Sequence, residues 1–293
     1  MTSVTTPHAG KFLHPHRVFT LFKYAIYCLL AYNAFLFFQE DFAASAETFG
    51  DTVTWRNVVE AYSATIDTSA WVLLLLLFEL ETAVIPDEKL KGGLKWTLMG
   101  TRAICYFFIV YAFYGYCLKF FVITDLLPFT IADVCNLVGT DWNFVVDLDD
   151  YPPIDAAACA ALQGHELFRV AGTELIGTRA ALDSALGLAV IDVINASTWL
   201  IIVVLLEVEV WMQLKDKLTD RLMTAGKYVK GFFYLLLFVC AAYWGFEGSF
   251  LDFWDAFLWL VAFIFIEMNI FQWHEETGEA QENEFSPGVT PET

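Results

Sequence analysis

Three glutamates stand at one repeated spacing in this chain. Asp67 is followed by Trp71, seven apolar residues, Glu79 and then Glu81. Asn195, Trp199, Glu207 and Glu209 repeat that spacing, as do Asp255, Trp259, Glu267 and Asn269. A carboxylate deep in a membrane helix costs about 2.5–3.5 kcal/mol on insertion scales, so it normally faces the bundle interior or a wet cavity. Each Trp suits the outer membrane–water interface. The rise from Trp to the first Glu is about 12 Å, which puts that Glu near the bilayer midplane.

Acids gathered at such depth share protons and select cations. Oxygen ligands without His or Cys favour hard ions. Glu79, Glu207 and Glu267 are therefore read as an ion pathway around a pseudo-threefold axis. Residues two apart on a helix point about 200° away from each other. Glu81, Glu209 and Asn269 then face neighbouring helices. Basic residues six positions beyond Arg17, Trp96 and Arg221 open the preceding apolar runs: Lys23, Arg102 and Lys227. Each lies within snorkelling reach of a second acid, so the three are candidate ion-pair partners that fix helix register.

Composition sets the elements that must carry these residues. Of 293 residues, 58% are hydrophobic and 17% charged, a balance that belongs to a polytopic membrane protein. Apolar runs at 18–38, 69–86, 98–123, 197–213, 229–246 and 254–272 predict six transmembrane helices. Helices are expected because lipid offers no partner to an unpaired backbone group. The expected fold is an all-α integral membrane protein of three pseudo-repeated two-helix units, about 17–91, 95–217 and 221–273, with a larger outer insertion at 125–195. The first run is read as a span, not a secretory leader, because it opens the first copy.

Charge gives the expected orientation. Twelve of the sixteen Lys and Arg lie in 11–23, 89–102 and 215–230, which the positive-inside rule makes cytoplasmic. Both termini are then cytoplasmic, and the acidic loops lie outside. Residues 1–16 and the acidic 274–293 read as disordered cytoplasmic tails. Residues 51–62 read as a short amphipathic helix at the outer surface, and 173–194 as a helix within the insertion. Cys135 and Cys159 share the outer insertion and form the disulfide candidate. Asp67, Trp71, Asn195, Trp199, Asp255 and Trp259 mark the repeats and the interface.

The net charge of −19 and the absence of a basic surface beyond the topogenic clusters exclude nucleic acid as a partner. No His lies deep in a span, and no P-loop, H-E-x-x-H or G-x-S-x-G motif occurs, so neither an enzyme nor a resident metal is expected. No cofactor is called for, beyond a bound cation of unspecified identity. The bilayer is the expected partner, with a homo-oligomer or a larger membrane complex as further ones. The functional expectation is a cation or proton channel or permease. The alternative is a non-catalytic accessory or assembly subunit whose Glu/Lys pairs only fix helix register.

The topology is testable directly. A cysteine introduced by Asp149→Cys should react with an impermeant maleimide added outside intact cells. Labelling only from the cytoplasmic side would overturn the orientation.

Overall fold

The structure is a computed structural model that describes residues 15–49, 58–81, 85, 91–213 and 219–265. Helices dominate: α1 (Pro15–Phe49), α2 (Val58–Ala61), α3 (Ser63–Glu79), α4 (Gly92–Thr124), α5 (Ala156–Leu162), α6 (Arg179–Gln213), α7 (Asp220–Glu247) and α8 (250–265). Four stretches are long and apolar enough to cross a membrane: Phe19–Ser45, Gly92–Thr124, Arg179–Glu209 and Arg221–Glu247. Over the described residues, α3 and α8 fall short of the ~20 residues that cross a ~30 Å hydrocarbon core. The predicted tails and Glu267, Asn269 and 51–57 lie outside the described residues, apart from the start of α1.

The chain divides into two compact units, residues 1–29 with 261–293, and residues 30–260. In the first, the Phe265 ring meets Phe19 and Phe22 edge-on, with centroids 5.0 and 5.7 Å apart. The second holds the main helix packing and the outer insertion. There α4 packs against α3 and α6, and α6 against α7. Ala70, Leu77, Leu98, Cys105 and Ile109 form one buried cluster between α3 and α4, with Leu200 of α6 against it. Gly187 lets α7 come close to α6, because a Cβ there would overlap the Tyr243 hydroxyl.

The insertion corrects the all-α expectation. It contains four strands: β1 (Leu126–Phe129), β2 (Asn143–Phe144), β3 (Leu167–Val170) and β4 (Leu175–Thr178). They form one sheet in the order β1-β3-β4-β2, antiparallel except where β4 pairs with β2. The predicted helix over 173–194 is therefore strand up to Thr178, and only from Arg179 is it helix, continuous with the span expected at 197–213. The cause lies in two neighbouring side chains. Leu175 enters the core shared with α6 and α7, while Ile176 enters the insertion's own core. Neighbours that point to opposite faces require the two-residue period of a strand. Gly172, at φ 78°, closes the β3–β4 turn in the left-handed region.

Two clusters anchor the insertion. Ile123, Val145, Leu148, Val170, Leu182, Leu188 and Trp244 join it to the helices. Val134, Leu137, Ile154, Ala158, Leu162 and Leu167 pack inside it around Cys159. Cys135 and Cys159 are disulfide-bonded across a sequence separation of 24. Closing a loop of that length stabilises a fold by about 3 kcal/mol in the chain-entropy model. The expected consequence is that Cys135→Ser with Cys159→Ser makes the insertion cleave at lower protease concentration and lowers its unfolding midpoint. Limited proteolysis of the wild-type protein with and without reductant is the matching measurement.

Candidate functional site

Helices α3 and α6 carry acids at two levels along their length. At the deep level, Glu81 of the widened last turn after α3 pairs with Arg102 of α4. Glu209 of α6 pairs with Lys230 of α7 at 2.9 Å. The side chains of Lys230 and Glu209 are 10% and 28% exposed, so these are half-buried pairs whose charges are poorly screened. Lys227 is exposed, one turn away from Lys230. A Cβ at Gly226 would overlap the Glu209 carboxylate, which shows how closely that acid lies against α7. Lys23, in the other unit, is buried with Nζ 5.3 Å from the Tyr24 ring centroid.

The first acids differ from one another. Glu79 is buried. Glu207 is exposed and accepts a 2.6 Å hydrogen bond from the Tyr106 hydroxyl of α4. These two therefore do not share one environment, and Glu267 lies outside the described residues.

Above them, the repeated tryptophans meet. The Trp71 ring lies 6.0 Å from Trp199 and 6.2 Å from Trp259, centroid to centroid. Trp199 and Trp259 are buried. Trp71 also donates to Asp67, and Trp259 to Asp255. Residues four apart share a helix face, which explains the Asp-x-x-x-Trp spacing in those two copies: the indole N–H reaches back one turn to the carboxylate. Asn195 holds the third such place, on α6.

The outer level is richer in acids than the repeat spacing indicates. Asp67 accepts a second hydrogen bond from the Tyr116 hydroxyl of α4 at 3.3 Å. Asp255 accepts from Asn33 Nδ2 of α1 at 2.8 Å. Asp192 of α6 accepts from Trp244 of α7. Asp41 of α1 accepts from the Thr65 amide at 2.8 Å and from its hydroxyl at 2.5 Å. That bond satisfies one of the orphan amides at the start of α3, where Tyr62 supplies no side-chain cap. These carboxylates lie in one another's field: Asp252 and Asp67 act on Asp255, and Asp149 and Asp252 on Asp192. Lys119, at the outer end of α4, faces Asp41 and binds Asp149 of the insertion at 2.6 Å. Beside it, burial and then the Asp149 and Asp150 charges hold the Asp147 carboxyl above its usual range.

The chemistry follows from the donors. Asp67 and Asp255 accept from indole, phenol and amide groups, which orient a carboxylate without neutralising it, whereas Asp192 also lies in the field of Lys119. A proton or a mobile cation can supply the missing charge. Among the described residues, no three His, Cys, Asp or Glu side chains are grouped to hold a metal ion.

Sequence reasoning missed Lys230, Tyr106, Asp41, Asp192 and Lys119 as site residues. Asp192 had a visible signal, because it interrupts the apolar run Ala189-Val-Ile-Asp-Val-Ile194. Lys119 had another, as a lone cation at the outer end of a span.

The Glu209 partner can be tested by charge reversal. Glu209→Lys should cost about 2–3 kcal/mol by setting like charges together in a half-buried place. Adding Lys230→Glu should restore most of the thermal stability in detergent, and adding Lys227→Glu should not. No protein-family model, curated protein or solved structure matches this chain, so its function has to be argued from its own residues.

Proposed function

We propose that the chain is a six-span membrane protein, built as three helix pairs, that passes protons or small monovalent cations between carboxylates. The observation that supports this reading is the outer level: among the described residues, the donors that hold Asp67 and Asp255 are neutral. Ions would enter from the acidic outer face, which concentrates cations. They would pass the ring contacts of Trp71 and reach the first acids of the repeats, Glu79, Glu207 and Glu267. Packed indoles make an apolar constriction, and such constrictions gate by excluding water. Both termini face the cytoplasm in this reading.

The register-fixing alternative is favoured by a separate observation. The pairs Glu81–Arg102 and Glu209–Lys230 both span 21 residues. Equal spacing is what a repeated structural clamp produces, whether or not ions move. In that case the protein serves as an accessory or assembly subunit of a larger membrane complex.

Flux into liposomes containing only this protein separates the two. With H⁺, Na⁺ and K⁺ gradients applied in turn, the wild-type protein should pass at least one of them. Asp67→Asn and Asp255→Asn should lower that flux about tenfold or more while thermal stability stays within about 1 kcal/mol, because Asn keeps an acceptor oxygen for the same donors. A wild-type protein that passes no ion, with Glu79→Gln and Glu207→Gln unfolding early, would establish the accessory reading instead.

A further inference from the structure

The register of the repeats is better defined by the structure than by the basic residues that open the spans. Arg102 and Tyr106 stand four apart on α4, on one face and one turn from each other. They reach in different directions. Arg102 binds Glu81, the second acid carried by α3, and Tyr106 donates to Glu207, the first acid carried by α6. Thus α4 holds an acid from each of the two inner helices it packs against.

The same two residue types recur in the other outer helices. Lys230 and Tyr234 stand four apart on α7, and Lys23 and Tyr27 four apart on α1. Lys230 makes to Glu209 the bond that Arg102 makes to Glu81, at the same separation of 21 residues. Burial supports this alignment independently. Seven positions beyond the three basic residues lie Leu30, Ile109 and Leu237, which are 0%, 2% and 1% exposed. Ten positions beyond lie Asn33, Ala112 and Cys240, at 1%, 0% and 1%. An alignment through Lys227 keeps the second match, with Leu237, but loses the first, because it sets the half-buried Tyr234 opposite Leu30 and Ile109.

We propose that Arg102-x-x-x-Tyr106 is the acid-holding element of α4, and that within it Tyr106 is the positioning residue for the Glu207 carboxylate. The cation fixes one inner helix through its second acid. The hydroxyl, one turn on, orients the first acid of the next. A phenol suits that task because it donates a hydrogen bond while leaving the carboxylate free to take or give up an ion. The assignment of Glu207 to an ion path rests on the transport reading; its orientation by Tyr106 does not.

Infrared spectroscopy of the full chain in liposomes tests the two claims separately. The carboxylate band of Glu207 is identified as the one lost in Glu207→Gln. It should be displaced in Tyr106→Phe and stay in place in Tyr114→Phe, which alters an exposed tyrosine of the same helix. Tyr106→His, which keeps a donor, should return it towards its original position. If Tyr106→Phe does not fold, 3-fluorotyrosine at position 106 strengthens the donor without changing the packing and should move the band in the opposite direction. Flux measured on the same samples should fall several-fold in Tyr106→Phe and recover in Tyr106→His. A displaced band in a protein that passes no ion keeps the positioning role and removes the transport reading. A band unmoved by the loss of the hydroxyl overturns the proposal.

Discussion

A charged group inside an apolar helix must be answered by its surroundings, and the arrangement of this protein follows from how each is answered. Helices α3, α6 and α8 carry acids beside or within apolar runs, where an unanswered charge is costly. Two solutions are visible. At one level, Glu81 and Glu209 meet cations on α4 and α7. At the other, Asp67 and Asp255 meet neutral donors, and Asp192 meets a neutral donor within the field of Lys119. The first solution cancels charge and fixes register. The second directs the carboxylate without cancelling its charge. Both occur on α3 and α6.

The tryptophans connect the levels. In two copies the indole N–H holds the aspartate one turn above it. The ring of Trp71 meanwhile packs against Trp199 and Trp259. An indole can do both because its body is apolar and its one donor sits at the edge. Replacing it by Phe would keep the ring contact and lose the bond to the acid. That dual use gives a physical reason for Trp, rather than any large apolar residue, to recur at this place in the repeat.

Much of the bundle was legible in the sequence because helix faces follow from spacing. Asp67 with Trp71, and Asp255 with Trp259, read in the sequence only as markers of the repeats and the interface, and the hydrogen bond within each pair comes from the structure. The i, i+2 argument sent Glu81 and Glu209 towards neighbouring helices, where cations lie. The choice of cation on α7 was not legible. Lys227 and Lys230 both lie on the first turns of one helix, and only the approach of α6 beside Gly226 selects between them. The insertion was obscure for a different reason. Its strands have two to four residues, too few to show alternation against the apolar stretch of α6 that follows. Leu175 and Ile176 read as adjacent core residues of a helix until their two separate clusters are seen.

The insertion is also tied to the acids by a charge. Lys119 leaves the end of α4, faces Asp41 of α1 and closes on Asp149 in the turn that precedes Tyr151. The Asp149 side chain is 57% exposed while that of Lys119 is 18% exposed, so the bond has one wet partner and one sheltered one. Salt screens such a partly sheltered pair less than it would a fully exposed one. The packing of Leu148 and Val145 against α6 and α7 does not depend on salt and holds the turn in place regardless. A lysine fixed there is a permanent counter-charge in a field otherwise made by acids. It offsets part of the negative field that Asp41, Asp149 and Asp192 make together. Its removal would therefore make that local field more negative, while the apolar anchor keeps the insertion docked.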